Sequence, residues 1–129
     1  FPVFTLNGEL EPEAAGYVAI RPQAEVSDKL DTLTQGISQI LFAGRPMEVT
    51  AVRTEDEQTI VYVDLKDRAQ WQQVFQGTTG GGINSQALIA SYLQADYRNA
   101  WIDGVHFTLD GEPVLFEHAP LLEETQYRD

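Results

Sequence analysis

Residues 77–118 read GTTGGGINSQALIASYLQADYRNAWIDGVHFTLDGEPVLFEH, and this stretch says most about the fold. Its first part, Gly77–Gly82, consists of four glycines and two threonines, a composition typical of a loop. The pattern that follows predicts a helix over Ser85–Tyr97, with Asn84 or Ser85 as its N-cap. The candidates for the buried side of this helix are Ala87, Leu88, Tyr92 and Ala95.

A strand, a turn and a second strand are predicted after this helix. Residues 105–109 alternate between apolar and polar side chains, which is the pattern of a strand with one buried face. Asp110-Gly111 predicts a tight turn, because both residue types tolerate positive φ, and Val114–Phe116 would be the returning strand. The tail from Pro120 to Asp129 is acidic, and we expect it to fray.

The clearest helical pattern lies upstream, between Val26 and Leu41. Apolar residues recur there at helical spacing, and Ser27 or Asp28 can cap the start. Gly44 is a typical helix end. An apolar stripe of this kind has to be buried, most simply against a sheet.

A β-hairpin is predicted directly after this helix. Glu48–Arg53 and Thr59–Leu65 form its strands and flank a charged tip at Thr54–Gln58. Ala69–Phe75 predicts a short helix whose Trp71 faces inward.

The N-terminal part is less regular. Val3–Leu6 predicts a short strand that reaches the turn dipeptide Asn7-Gly8, while Glu9–Gly16 is expected to be a loop and Tyr17–Ile20 another strand. There is no internal repeat and no low-complexity linker. The sequence therefore predicts one α+β domain, in which two main helices pack on one face of a small mixed β-sheet.

The composition excludes several classes of partner. The chain has 129 residues, a formal charge of −12 and a hydrophobic share of 43%, so we expect a folded domain that repels nucleic acid and anionic membranes. It has no cysteine, which excludes a disulfide framework, a thiolate metal site and a cysteine nucleophile. Because it starts without methionine, we expect it to follow an upstream signal or anchor segment in a longer protein.

No catalytic or metal motif is found. Gly82 is followed by Ile83 rather than by the lysine of a phosphate-binding loop, and no G-x-S-x-G sequence occurs. His106 and His118 could approach each other on the last hairpin and bind a metal weakly with Glu117, but a solvated pair is the simpler interpretation. The acidic turns lack the calcium-loop spacing. We therefore expect a non-enzymatic domain with no cofactor and no metal.

Three segments carry a resemblance to a known family. Ile37–Gly44 with Arg45-Pro46 resembles an "L-L-x-G-P" helix end, Ile60–Leu65 resembles a "v-x-V-D-L" strand, and Gly77–Gly111 resembles a tail with a glycine loop, a helix and "V-x-F-x-i-D-G". Their order is similar to that of the GerMN domain, also called Germane or the sporulation and spore-germination domain. The resemblance covers most of residues 1–118, which we assign to the domain, and leaves residues 119–129 as an acidic C-terminal tail.

The resemblance implies a non-enzymatic, extracytoplasmic domain, secreted or held at the bacterial membrane as part of a lipoprotein. Such domains are similar to ring-building domains, which pack two helices on a three-stranded sheet and assemble into protein complexes. Expected partners are therefore other envelope proteins or further copies of the chain, with no nucleic acid and no direct membrane insertion of this segment.

The expected interaction surface combines a polar connection with the glycine-rich segment. Trp101 follows Arg98 and Asn99 in that connection, where an aromatic anchor would suit an interface. Gly80, Gly81 and Gly82 complete the candidate surface. The alternative function is a peptidoglycan- or carbohydrate-binding module, in which Trp71 and Trp101 would stack on sugar rings beside acidic residues.

Overall fold

The computed structural model describes residues 1–128, apart from the side chain of Thr78. The elements, in chain order, are β1 (Pro2–Leu6), β2 (Pro12–Tyr17), α1 (Val26–Leu41), β3 (Met47–Glu55), β4 (Gln58–Leu65), α2 (Arg68–Val74), α3 (Thr78–Leu93), β5 (Gly104–Leu109), β6 (Glu112–Pro113), a 3₁₀ helix (Pro120–Glu123) and β7 (Gln126–Tyr127). The predicted α+β class with two main helices and a mixed sheet is confirmed.

The main sheet has the strand order β3-β4-β5-β6, and β7 also pairs with β5. β4 and β5 are parallel, whereas the other pairs are antiparallel. A parallel pair needs a long crossover connection, which here contains α2 and α3. A second sheet is the antiparallel pair of β1 and β2.

The core lies between α1, α3 and one face of the main sheet. Alternate residues of β4 and β5 point to this face and are buried: Val61, Val63, Leu65, Val105, Phe107 and Leu109. α1 buries a helical stripe that contains Leu30, Leu33 and Ile37. The two helices are also joined by a hydrogen bond of 2.7 Å between the hydroxyls of Thr34 and Tyr92, both buried.

Asp64 ties β4 to β5 on the opposite face of the sheet. Thr108 Oγ1 donates to Asp64 Oδ1 over 2.6 Å, and the N–H of Gly111 donates to the same oxygen over 2.9 Å. Lys66 Nζ donates to Asp64 Oδ2 over 3.1 Å. Burial alone would raise the pKa of Asp64, but these donors outweigh it and lower the pKa below the ordinary value of 3.8.

Replacing Asp64 by asparagine should therefore make stability less dependent on pH. Because its folded-state pKa is lowered, Asp64 contributes stability above pH 3.8, and this contribution is lost as the pH falls through the folded-state pKa. We expect Asp64→Asn to reduce the free energy of unfolding by about 1–3 kcal/mol at pH 7. The difference from the wild type should shrink below pH 4 in urea denaturation.

Asp56→Asn, in the exposed turn between β3 and β4, is the matched control. It removes the same charge and should change the free energy of unfolding by no more than about 0.5 kcal/mol. An equal pH dependence of the two variants would contradict the role given to Asp64.

The glycine-rich segment is helical, so the expected loop at Gly77–Gly82 is wrong. α3 begins at Thr78 after Gly77, whose φ of +76° suits glycine. Gly81 lies so close to the chain that an added Cβ would be 2.5 Å from the carbonyl oxygen of His118. Tight packing at this end of the helix outweighs the low helix propensity of glycine, a tertiary effect that composition does not reveal.

Asn84 and Ser85 consequently lie inside α3 and do not cap it. Asn84 Nδ2 donates to the carbonyl oxygen of Val74 over 2.7 Å, which ties α3 to the end of α2. Ser85 Oγ donates to the carbonyl oxygen of Gly81 over 2.8 Å. The helix ends earlier than predicted, at Leu93.

Neighbouring glycines in α3 should respond in opposite ways to alanine. Gly81→Ala forces the new Cβ against His118 and should cost about 1–3 kcal/mol. Gly80→Ala meets nothing within 4 Å, and it should stabilise the domain by about 0.5–1 kcal/mol because alanine favours the helix. Thermal denaturation of both variants measures this, and a loss of stability in Gly80→Ala would contradict it.

Two expectations about the ends of the chain are also wrong. Glu9–Gly16 is not a loop throughout, because Pro12–Tyr17 pairs with β1. The tail after residue 118 packs onto the domain: Leu122 is buried, and Gln126–Tyr127 pairs with the start of β5. The local sequence of β2 carries only a weak strand pattern, and β7 pairs with a strand about twenty residues earlier in the chain, so local patterns do not predict either pairing. The boundary expected at residue 118 is therefore not a structural one.

Smaller differences concern the ends of elements. The strand expected at Val114–Phe116 is replaced by the two-residue β6, and α1 begins after Glu25 rather than after Ser27 or Asp28. The predicted hairpin and the short helix near Trp71 are confirmed as β3, β4 and α2. Among the described residues, no helix is both long and apolar enough to cross a membrane.

Candidate functional site

Trp101 is a core residue, so its expected role as an exposed anchor is wrong. Its side chain is only 8% exposed, and its Nε1 donates to the carbonyl oxygen of Tyr92 over 2.8 Å. The rings of Phe1 and Tyr97 pack edge-on against it, with centroids 4.8 and 5.8 Å away. The connection is polar in sequence, but the N-terminal strand folds over it and covers the indole.

Arg98 and Asn99 are exposed as expected, but the glycines lie elsewhere. Asn99 stands beside the Tyr97 hydroxyl and, together with Lys29, lowers the pKa of Tyr97 although burial opposes this. Gly80, Gly81 and Gly82 lie near the start of α3, about 18 Å along the helix axis from its last residue, Leu93, whereas Arg98 and Asn99 follow the other end of the helix. The structure therefore does not bring the predicted interaction residues together.

Trp101→Ala should reduce stability rather than binding alone. Removal of a buried indole that also donates a hydrogen bond should cost about 3–5 kcal/mol of unfolding free energy. Arg98→Ala, three residues away and exposed, should cost less than about 0.5 kcal/mol. Chemical denaturation checks both values, and a Trp101→Ala variant of wild-type stability would contradict the burial of this side chain.

The residues named for sugar stacking are not on the surface either. Trp71 is fully buried, its Nε1 donates to the carbonyl oxygen of Pro46 over 2.9 Å, and its ring stacks on Phe75. With Trp101 also buried, neither tryptophan offers a face to a glycan. Both indoles fill the core, as their large apolar surfaces favour.

The two histidines have different neighbours in the structure. His106 lies on β5 and shares a hydrogen bond of 3.0 Å with Thr125 Oγ1. His118 lies at the N-terminal end of α3, where its main chain packs against Gly81. Within residues 1–128, no group of three or more histidine, aspartate or glutamate side chains is placed to hold a metal ion.

An apolar groove of about 490 Å³ lies beside α3. Its floor is a stripe of α3 at helical spacing, Gln86, Ile89, Ala90 and Leu93. One wall is the β1–β2 hairpin and the other is the C-terminal segment. The remaining lining residues are Phe4, Leu6, Leu10, Pro12, Ala95, Asp96, Leu121 and Gln126. We call this feature the α3 groove.

Hydrogen bonds fix the hairpin wall to α3. Ser91 Oγ accepts from the N–H of Phe4 over 2.9 Å and donates to the carbonyl oxygen of the same residue over 3.3 Å. Gln94 Nε2 donates to the carbonyl oxygen of Pro2 over 2.6 Å. Two buried polar side chains, Ser91 on α3 and Gln94 at its C-cap, thus bond to the free edge of β1 and anchor this wall of the groove.

Two large apolar side chains stand exposed at the mouth of the α3 groove. Leu10 is 59% exposed and Leu121 is 41% exposed. Leu10 also has a φ of 61°, an uncommon conformation for a residue other than glycine. Apolar side chains gathered around a concave, largely apolar surface mark a site of association better than scattered exposed residues do.

The chemistry of the α3 groove is that of binding. Its polar side chains are the amides of Gln86 and Gln126 and the carboxylate of Asp96. A lone carboxylate at the mouth can attract a cation, and the amides can exchange hydrogen bonds. The apolar floor favours the burial of an apolar ligand surface by about 25 cal/mol per Å².

Sequence reasoning missed the α3 groove although a signal for it was present. The buried side expected for this helix included Leu88 and Tyr92, but Ile89 and Leu93 are apolar as well. A helix that is apolar on more than one side must contact more than one neighbour. The sequence does not identify the second neighbour of this helix, the β1–β2 hairpin, because it predicts a loop where β2 lies.

No protein-family model, curated protein or solved structure matches this chain. Function is therefore inferred from the residues and surfaces of this chain itself.

Proposed function

We propose that this domain is a non-catalytic protein-interaction module of a bacterial envelope protein of the sporulation or germination type. It docks a segment of a partner protein in the α3 groove. The observation that carries the proposal is the groove itself, with Leu10 and Leu121 exposed at its mouth. Exposed leucines are unfavourable in water, and a partner that covered them would gain from their burial.

The extracytoplasmic location follows from the resemblance of three segments to the GerMN family. The lack of cysteine is compatible with export, and the acidic surface disfavours nucleic acid. Two main helices on a sheet whose three longest strands are β3, β4 and β5 support the architecture that this resemblance implies. The location can be tested by adding protease to intact cells, since an exposed domain is cleaved without lysis.

Peptidoglycan binding is the weaker alternative. It was based on Trp71 and Trp101, and both indoles are in the core. A glycan would have to use exposed tyrosines such as Tyr17 and Tyr127, which lie on different strands. A nuclear magnetic resonance titration with soluble peptidoglycan fragments distinguishes the two functions, because a protein-docking domain should leave the spectrum unchanged.

Ala90→Phe should block the α3 groove without unfolding the domain. Ala90 is partly exposed on the floor, so the larger ring can occupy the groove. We expect at least about tenfold weaker partner binding, equivalent to about 1.4 kcal/mol, with a near wild-type melting temperature. Ala69→Phe on the exposed side of α2 is the matched control.

The partner can be located with a photoreactive amino acid in the living cell. Placed at Gln86, an exposed residue of the groove floor, it should crosslink to a protein of the envelope fraction. Placed at Gln72, exposed on α2, it should not. Crosslinking from Gln86 that persists in the Ala90→Phe background would count against docking in the α3 groove.

A further inference from the structure

The mouth of the α3 groove is acidic. Asp96 is the charged residue in the described lining, and its side chain is exposed. Three more exposed carboxylates stand within two residues of Leu10 or Leu121 in the chain: Glu9, Glu11 and Glu123. With a formal charge of −12 over the whole chain, the field at this mouth attracts cations.

Two cations lie near Asp96 in the structure or in the chain, and neither pairs with it among the described residues. Arg98 is exposed two residues further along the chain, and Arg128 is engaged elsewhere. Its Nη2 donates to the carbonyl oxygens of Gln94 and Tyr97 over 2.9 and 2.8 Å, at the C-terminal end of α3. Its guanidinium group therefore caps carbonyl groups at the end of the helix and does not pair with Asp96. Within residues 1–128, Asp96 forms no salt bridge.

β1 also offers a backbone edge to the groove. The N–H of Asn7 donates to the carbonyl oxygen of Glu11 over 2.9 Å, so Asn7 faces β2. In an antiparallel pair, successive residues face opposite sides, and Leu6 therefore turns its N–H and C=O away from β2. The residue of β2 opposite Leu6 is Pro12, which has no N–H and so cannot donate to the carbonyl oxygen of Leu6.

Leu6 differs from Pro2 and Phe4, the other residues of β1 that face this way. The carbonyl oxygen of Pro2 accepts a hydrogen bond from Gln94 Nε2. Phe4 is bonded to the hydroxyl of Ser91. One helical turn earlier on α3 stands Ala87, which has no polar side chain. Among the described residues, no side chain bonds to the N–H or C=O of Leu6, which lines the groove.

From these features we infer that the α3 groove receives an extended, basic and apolar segment of a partner protein. The segment pairs with the backbone of Leu6 as an added strand and places its apolar side chains against Ile89 and Leu93. A lysine or arginine beside them contacts Asp96. The inference rests on the proposed docking function and adds the chemistry of the partner.

Charge favours such a partner over a second copy of this chain. The chain has twenty acidic residues against eight lysines and arginines, so a second copy would bring one acidic mouth against another acidic surface. Like charges at an interface oppose association. A segment with clustered cations is attracted to the acidic mouth, whereas a second copy of the chain is repelled by it.

A display library of random twelve-residue peptides tests this directly. The purified domain is the bait, and the Ala90→Phe variant serves for counter-selection. We expect the selected peptides to combine apolar residues with lysine or arginine, and to bind more weakly as salt is raised. In the complex, the amide proton of Leu6 should be protected from hydrogen exchange.

Asp96→Asn should weaken a selected peptide by about threefold, the effect of one exposed ion pair. Asp56→Asn, in the β3–β4 turn and outside the lining of the groove, removes the same charge and should leave the affinity unchanged. Both variants keep the groove open, and a near-native melting temperature for each excludes a folding defect as the cause.

The outcomes separate this inference from the proposed function. Selected peptides without a basic bias, which nevertheless fail to bind Ala90→Phe, would overturn the inference and leave docking in the groove standing. Peptides that bind Ala90→Phe equally well would overturn both. If no peptide is selected, the next question is whether the domain associates with itself. Self-association that is lost in Ala90→Phe would identify a second copy as the occupant and overturn the inference. If the domain does not associate with itself either, both proposals fail.

Discussion

The parallel pairing of β4 with β5 is the constraint on which the rest of the structure depends. Parallel neighbours cannot be joined by a tight turn, so the chain must cross from one end of the sheet to the other. α2 and α3 form this crossover and lie on the same face as α1. Asp64 holds the pair together from the opposite face through Thr108. Once this pairing is set, the position of α3 follows.

The position of α3 in turn explains the N-terminal hairpin. One side of the helix faces the core with Leu88 and Tyr92, and the adjacent side carries Ile89 and Leu93. The β1–β2 hairpin covers part of the second side and is held there by Ser91. The uncovered part is the α3 groove. The groove is therefore a consequence of a helix with more apolar surface than its own domain buries.

The surface of the domain combines a strong negative charge with a local apolar groove. The charge keeps the chain soluble and repels copies of itself. The groove offers an apolar surface that the proposed partner segment would bury, and Asp96 at its mouth would favour a cation on that segment. Burial contributes most of the affinity in such an arrangement, whereas charge selects among partners and directs their approach.

The sequence by itself determined α1, the β3–β4 hairpin and the Asp110-Gly111 turn, because helical spacing, strand alternation and turn chemistry act over a few neighbouring residues. Only the tertiary structure decided that Gly80–Gly82 is helical and that Trp101 is buried. Close packing between distant segments overrides local propensity at the glycines, and Phe1 covers the indole from the other end of the chain. The α3 groove was decided in the same way, since its two walls and its floor come from three separated segments that only the folded chain brings together.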